Sequence, residues 1–301
     1  MALLLQMLAE HEGNNIQSNP PQTSVNVLPC VVATGEGATS GSHDDPVYVS
    51  DDAPADDSNR WVLIGGILLH QTDREILQSP SARLNDNHIN TAQEILTRQF
   101  PQYHGMQHTT CQWGKGFTPS DSPFVQIVWV NGNHWICISS IGCSDGEVNL
   151  FDSLNYPLSA SVQHVAALSH TKKSKLNLWQ IDVQQQQNTC DYGLFAIAFA
   201  TSLCYGQEPH HCNYKQFAMR QHLSCLKAGK METFPGSIRK FKEKVLQICR
   251  LPVYCICRKP DGGSLMVECA GCTEWFHLHC IGMMENDLPE SDWLCPHCQR
   301  A

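Results

Sequence analysis

The sequence has little charge and no membrane-length apolar run. Charged residues make up only 16% of the 301 residues, and Asp and Glu outnumber Lys and Arg by 29 to 20, for a formal net charge of −9. A chain of that sign is not a general phosphate-binding surface, so we expect no direct nucleic-acid binding. No stretch reaches the roughly 18 apolar residues of a membrane span. The first residues also lack the basic start of a signal peptide, so we expect neither a membrane protein nor a secreted one.

Cysteine, in contrast, is abundant and unevenly placed. Seven of the 16 Cys lie between positions 255 and 298, whereas nine are scattered from 30 to 249. The scattered group is odd in number and has no paired spacing, which argues against a disulfide framework and for an intracellular protein. The two groups therefore predict two different uses of cysteine.

The charge divides the chain into three parts. Residues 1–60 hold nine acidic residues and one basic residue, are rich in Asn, Ser, Pro, Gly and Asp, and are predicted to be disordered. Residues 61–250 are weakly basic and carry apolar periodic segments, and residues 251–301 are again acidic. We predict a folded domain over 61–250 and a small domain over 251–301. In the first part, Val47-Tyr48-Val49 before an acidic run resembles a SUMO-interacting motif, although a chance apolar triplet explains it more simply.

The last fifty residues carry eight metal-ligating side chains in four close pairs. A closely spaced pair supplies two of the four tetrahedral ligands that zinc takes, so eight ligands predict two zinc ions. A domain this small also needs the folding energy that metal binding supplies. The eight residues are Cys255, Cys257, Cys269, Cys272, His277, Cys280, Cys295 and Cys298.

The order of these ligands, four Cys, one His and three Cys, resembles a PHD finger along the whole segment. Trp275-Phe276-His277 and Trp293-Leu294-Cys295-Pro296 are further marks of that family. The resemblance implies that the pairs interleave in a cross-braced arrangement. One zinc is then held by Cys255, Cys257, His277 and Cys280, and the other by Cys269, Cys272, Cys295 and Cys298.

Many PHD fingers bind a methylated lysine of a histone tail in an aromatic cage, because ring faces attract a quaternary ammonium. The positions that line this cage in the family match Tyr254, Met266 and Trp275, with Ser264 at the rim. The alternative is that Tyr254 and Trp275 only cover a small core. The acidic residue that often follows the third Cys in the family is replaced by Ala270, which weakens the case for contact with an Arg of the tail.

Residues 124–152 predict three consecutive strands. Residues 124–130 lead into Asn131-Gly132, a hairpin signal, and are followed by strands at 134–140 and 148–152. If the last two pair antiparallel about the turn at 143, His134 and Asp152 become cross-strand neighbours. A His polarised by a carboxylate is the base and orienting group of a catalytic triad. A purely structural His–Asp pair is the alternative.

A second constellation follows downstream. Residues 176–183 predict a strand, which runs into a polar loop and then into 194–204, a stretch apolar on all sides and typical of a buried helix. The N-terminus of such a helix is where a thiolate would be stabilised by the helix dipole. Further predictions are a capping box at 72–75, a helix that begins after Asn85, and an amphipathic helix over 239–248 with a solvated basic face.

The order His134-Trp135, Phe151-Asp152-Ser153 and then Gln-Gln-x-Asn-x-x-Asp-x-Gly-Leu-Phe at 185–195 resembles the ubiquitin-like-protein proteases. These are papain-like cysteine peptidases that process or remove SUMO and its relatives, and the resemblance, strongest to transposon-associated members, covers about residues 61–250. It implies an α+β, papain-like domain without a cofactor. In it His134 is the general base, Asp152 orients it, Gln186 lies in the oxyanion hole and Trp135 walls the path of a Gly-Gly tail.

The nucleophile position departs from this family. Where the family has Asp-Cys-Gly, this chain has Asp191-Tyr192-Gly193. A phenol oxygen lies about 6.5 Å from its Cα, against about 2.8 Å for a Cys sulfur, so it would overshoot the scissile carbonyl. A phenol is also a far weaker nucleophile than a thiolate. Arg83 stands where relatives have a Trp that closes the Gly-Gly tunnel, and two losses in one site favour a pseudoprotease.

Three functions remain open at this point. The first is a catalytically impaired, nuclear protein that binds a SUMO-like modifier or its conjugates and reads a histone tail with its finger. The second is an active cysteine protease that cleaves after Gly-Gly of such a modifier and uses Cys190, which requires a register shift against Gly193-Leu194-Phe195. The third is a decayed transposon relic with a fold but no partner.

Overall fold

The computed structural model describes residues 59–112, 116–288 and 291–300. The segment predicted to be disordered lies outside the described residues except for its last two positions, and so does the Val47-Tyr48-Val49 motif.

Five α-helices and twelve strands are formed within the described residues. The helices are α1 (Gln71–Gln78), α2 (Asp86–Gln99), α3 (Val162–Leu168), α4 (Tyr192–Cys204) and α5 (Gln216–Leu223). The strands are β1 (Arg60–Ile64), β2 (Ile67–His70), β3 (His104–Gly105), β4 (Phe124–Val130), β5 (His134–Ser139), β6 (Glu147–Phe151), β7 (Lys175–Ile181), β8 (Cys212–Tyr214), β9 (Gly236–Ile238), β10 (Val245–Pro252), β11 (Met266–Glu268) and β12 (Trp275–His277). Among the helices described, none has the length and apolar character needed to cross a bilayer.

A mixed six-stranded sheet organises the larger domain. Its order is β10-β7-β6-β5-β4-β3, with β3–β4 and β6–β7 parallel and the other pairs antiparallel. Helix α4 packs against β4 and β5, and every one of its residues is buried. This explains why its sequence is apolar on all sides. The predicted fold class, an α+β domain followed by a small finger, is confirmed.

The β4–β5–β6 meander forms as predicted, but its register differs. Asn131 and Gly132 have φ of +52° and +70°, as a hairpin turn of this kind requires. Cys137 pairs with Phe151 and Ile138 with Leu150, so the register places Asp152 opposite position 136 rather than opposite His134. The expectation that His134 and Asp152 face each other directly is therefore wrong. They are diagonal neighbours, a separation that long side chains still bridge.

The helix starts follow local hydrogen bonds. Asn85 caps α2 as predicted, because its Oδ1 accepts from the His88 N–H at 3.3 Å. The capping box of α1 lies two residues earlier than predicted, since Asp73 Oδ2 accepts from the N–H of His70 at 2.8 Å and the helix begins at Gln71.

The predicted amphipathic helix over 239–248 does not form. Residues from Val245 onward are β10, an edge strand paired with β7, and the Arg239 guanidinium makes two 2.9 Å contacts with the Asp182 carboxylate. The helical spacing of the apolar residues is overridden because β7 offers a row of backbone partners at the sheet edge.

The finger follows the last strand of the sheet without an intervening loop. β10 ends at Pro252, and the Val253 N–H donates to the carbonyl of Ser174 at 3.0 Å. The two-stranded β11–β12 hairpin then forms the centre of the finger. Lys259 reaches back, and its Nζ contacts the carbonyls of Ala166, Ala167 and Ser169 at the end of α3.

Candidate functional site

His134 and Asp152 form a buried, directly bonded pair. Nε2 of His134 lies 2.6 Å from Asp152 Oδ1, and the two side chains are 0% and 1% exposed. Asp152 also accepts from the backbone N–H of Leu154 at 2.8 Å and of Tyr156 at 2.7 Å. Three donors thus fix the carboxylate, and the carboxylate fixes the imidazole. This is the geometry that a general base and its orienting group require.

The other nitrogen of His134 faces aromatic side chains. Its Nδ1 is buried and has no hydrogen-bond partner among the described residues. The imidazole lies 4.4 Å from the ring of Tyr156 and 5.1 Å from the ring of Tyr192, centroid to centroid. Two phenol rings therefore lie against the imidazole of His134.

Tyr192 is the first residue of α4, at the position where the sequence predicts the nucleophile. Its side chain is 2% exposed, and its hydroxyl has no hydrogen-bond partner within the described part of the chain. Burial raises the pKa of this phenol, and the nearby positive charge of Arg83 only partly opposes that effect. The group is thus held neutral at physiological pH, and a neutral phenol is a poor nucleophile.

Cys190, the alternative nucleophile, lies on another side of the helix start. Its Sγ is 3.6 Å from the carbonyl of Pro80, 3.9 Å from Asp191 Oδ1 and 4.0 Å from Arg220 Nη2. No hydrogen bond joins it to His134 in the portion of the chain described. The structure therefore does not bring Cys190 and the imidazole together.

Asp191 occupies the N-cap position of α4, and its side chain is the centre of a network that sequence reasoning missed. Its Oδ1 accepts from Arg220 at 2.6 Å, and its Oδ2 accepts from Asn188 at 2.7 Å and from Gln216 at 2.8 Å. Arg220 also donates to the carbonyl of Ala82 at 2.6 Å. Arg220 follows Asp191 by 29 residues, so no local pattern could have linked them. The network fixes the start of the helix that carries position 192.

The side chain of Gln186, predicted to lie in the oxyanion hole, makes hydrogen bonds at both its oxygen and its nitrogen. Its Oε1 accepts from Ser153 at 2.7 Å and its Nε2 donates to the carbonyl of Asn188 at 2.6 Å. One N–H of the amide is therefore used, and one remains for another acceptor.

Trp135, predicted to line the path of a Gly-Gly tail, packs against the segment that precedes α2. It is 6% exposed, and its Nε1 donates to the carbonyl of Leu84 at 3.4 Å. A Cβ added at Gly193 would lie 3.1 Å from Leu84 Cβ and 3.4 Å from Trp135 Cδ1. A side chain at position 193 would therefore require Leu84 or Trp135 to shift by a few tenths of an ångström.

The eight predicted metal ligands fall into two groups of four. Within each group, the ligand atoms lie within 4.8 Å of one another. The groups are Cys255, Cys257, His277 and Cys280, and Cys269, Cys272, Cys295 and Cys298, which is the interleaved division that the resemblance implies. Sγ atoms of Cys272 and Cys295 are 3.9 Å apart, close to the edge of about 3.8 Å of a tetrahedron with Zn–S bonds of 2.3 Å. The donors and spacing fit zinc.

Two of the predicted cage residues, Met266 and Trp275, belong to the β11–β12 hairpin itself. Trp275 is 41% exposed, Tyr254 and Met266 are half-buried, and Ser264 is exposed. Because Met266 pairs with His277, Met266 and Trp275 are diagonal neighbours across the hairpin.

Comparisons with known proteins find different relatives for the finger and for the larger domain. A family model described as PHD-finger matches residues 255–298. COMPASS component SPP1 of Saccharomyces cerevisiae is 53% identical over 49 residues, which are 16% of this chain and 14% of that protein. The chain spans 4 to 14% of the length of the curated relatives that head this comparison.

Solved structures are similar to both modules. One is the C-terminal Ulp1 protease domain in complex with Smt3, the yeast ortholog of SUMO. The superposition covers 56% of this chain and 87% of the Ulp1 chain, with 17% sequence identity and a TM-score of 0.48. Another is Saccharomyces cerevisiae Spp1 in complex with H3K4me3. That superposition covers 16% of this chain and 50% of the Spp1 chain, with 50% sequence identity and a TM-score of 0.15. At TM-scores below 0.5, neither overlay carries information about chemistry. Residues 255–298 thus match the PHD-finger family, and they follow a mixed α/β domain whose similar solved structures are SUMO proteases.

Proposed function

We propose that this chain is a chromatin-associated binding protein, in which a protease-like domain holds a SUMO-like modifier without cleaving it and a PHD finger reads a histone tail. The observation that carries the proposal is the phenol of Tyr192, buried against His134 where a nucleophilic sulfur would have to lie. The His134–Asp152 pair is present, and it makes no hydrogen bond to a thiol of the described residues. We propose that the larger domain, predicted over 61–250, extends from Arg60 to Pro252, where β1 begins and β10 ends, and that the finger occupies the rest of the segment predicted over 251–301.

His134, Asp152 and Gln186 keep the assigned positions of base, orienting group and oxyanion-hole donor in this proposal, with Trp135 along the tail path. Their role here is to shape a binding cleft, since proton abstraction without an acceptor nucleophile accomplishes no acyl transfer. Cys190 is not favoured as a substitute, because its sulfur faces Pro80 and Arg220.

The finger is proposed to bind two structural zinc ions and a methylated lysine. Trp275, Met266 and Tyr254 would form the cage with Ser264 at its rim, and the half-exposed indole of Trp275 leaves a ring face open to a ligand. The 53% identity to Spp1, a protein solved with H3K4me3, supports a trimethyl-lysine histone peptide as ligand. A nuclear location follows from such a ligand.

A modifier probe with a C-terminal electrophile tests the cleft. We expect no covalent labelling of the native chain. Tyr192→Cys should be labelled, and labelling should be lost again in the Tyr192→Cys, His134→Ala double variant. Tyr192→Ser, which is as small but lacks sulfur, is the matched control. Labelling of the native chain that disappears in Cys190→Ala would instead establish the protease that uses Cys190.

Calorimetry of the full chain with a trimethyl-lysine peptide tests the finger. Trp275→Ala should weaken binding by at least tenfold, because the cage loses its largest ring face. Trp293→Phe, a ring change outside the proposed cage, is the control. Absence of binding to both the modifier and the peptide at high concentration would favour the relic without a partner.

A further inference from the structure

A groove of about 570 Å³ opens between α1 and α5, and Arg220, which also binds Asp191, is one of the residues that line it. Arg74 and Leu77 line it from α1, Phe217 and Arg220 line it from α5, and Trp61 of β1 lies against it. Residues three and four apart on a helix share a face, so each helix presents one continuous stripe to the groove.

The groove is cationic and partly apolar. Its lining includes Arg74, Arg220 and Lys227 but no acidic residue. Arg220 is neutralised by Asp191, whereas Arg74 and Lys227 form no ion pair within the described ranges. Phe217 is 88% exposed. An exposed phenylalanine beside two unneutralised cations suits an acidic peptide that also carries apolar side chains.

The sequence contains such a peptide immediately before Asn59. Residues 44–58 contain six Asp, no Lys or Arg, and the apolar triplet Val47-Tyr48-Val49. The described chain begins at Asn59, whose carbonyl accepts from the N–H of Gln71 at 2.8 Å, one helical turn before Arg74. Asp57 precedes Trp61 by four residues, a reach of at most about 14 Å. So short a tether holds residues 44–58 at an effective concentration of about millimolar with respect to the groove.

We propose that residues 44–58 dock in this groove. Their aspartates lie against Arg74 and Lys227, and their apolar triplet covers Phe217. The groove shares Arg220 with the network around Asp191, so the docked segment lies one side chain away from the start of α4. The proposal depends on neither zinc binding nor the fate of the nucleophile.

Hydrogen exchange of the full chain, read by mass spectrometry over residues 71–78 and 216–223, tests the docking. Changing Asp51, Asp52, Asp56 and Asp57 to Lys should speed exchange there about three- to tenfold, as expected for a few exposed ion pairs plus an apolar contact. The double variant Arg74→Glu, Lys227→Glu should do the same. Combining both sets restores opposite charges and should restore protection. The control is Lys172→Glu, Lys173→Glu, an exposed pair outside the groove.

Equal exchange in the native chain and all variants would overturn the proposal, as would a combined variant that stays unprotected. Protection that grows with protein concentration would also overturn it, since a second copy would then supply the segment. If the reversal of four charges unfolds the chain, the four Asp→Asn changes replace it and should still raise exchange, by a smaller factor.

Discussion

The imidazole of His134 and the phenol ring of Tyr192 meet edge to face, with their centroids 5.1 Å apart. His134 is held by Asp152 as a base would be, yet the group beside it is a buried, neutral phenol. A buried His–Asp pair and a buried aromatic side chain therefore meet at the start of α4. Both the Nδ1 of His134 and the hydroxyl of Tyr192 lack partners among the described residues.

The hydroxyl of Tyr192 should add nothing to stability. Tyr192→Phe removes a buried oxygen that has no partner, so the free energy of unfolding should stay constant or rise by about 1 kcal/mol. Tyr214→Phe is the matched control, because the Tyr214 hydroxyl lies 2.9 Å from Ser202 Oγ. That change should cost about 1 kcal/mol. Denaturant titrations give both values, and a clear loss in Tyr192→Phe would show that the hydroxyl has a partner.

Lys259 should hold the finger on the larger domain. Its ammonium contacts three carbonyls at the end of α3, the nearest at 2.5 Å, where the helix dipole favours a positive charge. Because Lys259 is half-buried, desolvation lowers the pKa of its ammonium. Lys259→Met keeps the length of the stem, removes the donors and should cost about 1–3 kcal/mol.

NMR relaxation of the two domains measures whether the contact of Lys259 couples their tumbling. In Lys259→Met, the finger should tumble faster than the sheet domain, whereas the native chain should tumble as one body. Lys173→Met, an exposed lysine, should leave the relaxation unchanged. Identical tumbling in the native and Lys259→Met chains would contradict the clamp.

Metal content should follow the two ligand groups. Atomic emission should give two zinc ions per native chain, and Cys269→Ser should lower the value to one because one tetrahedral set loses a thiolate. Cys111→Ser, which lies outside both groups, should leave two. A chelator should abolish peptide binding, since zinc supplies the folding energy of so small a domain. Retention of both ions in Cys269→Ser would contradict the assigned division.

Acid should destabilise the fold through His210. Burial, with the neighbouring charge of His211, lowers the pKa of His210 from 6.5 to about 4. The unfolded chain therefore takes up this proton first, so the stability contributed by His210 is complete above pH 6.5 and is lost as the pH falls towards 4. Denaturation at pH 7 and pH 4.5 should show a smaller pH effect in His210→Gln than in the native chain. The exposed His108→Gln should behave like the native chain.

Local patterns determined a large part of the fold. The turn at Asn131-Gly132, the cap at Asn85 and the buried helix after position 191 follow from short stretches of sequence, because turn geometry and apolar periodicity are local properties. The finger is the clearest example. Its paired ligands lie two or three positions apart, so the spacing alone predicts two tetrahedral groups.

Register and long-range contacts were not predictable in this way. The offset of β5 against β6, and the replacement of a predicted helix by β10, depend on which backbone groups the neighbouring strand offers. The sequence by itself determined that a tyrosine follows Asp191, where the resemblance predicts a nucleophile, and that eight Cys and His residues fall in four close pairs suited to metal. Only the tertiary structure decided that Tyr192 is buried against His134, that Arg220 holds Asp191, and that Lys259 caps α3. Each of these contacts joins residues far apart in the chain, and packing of the whole core, rather than any local preference, brings them together.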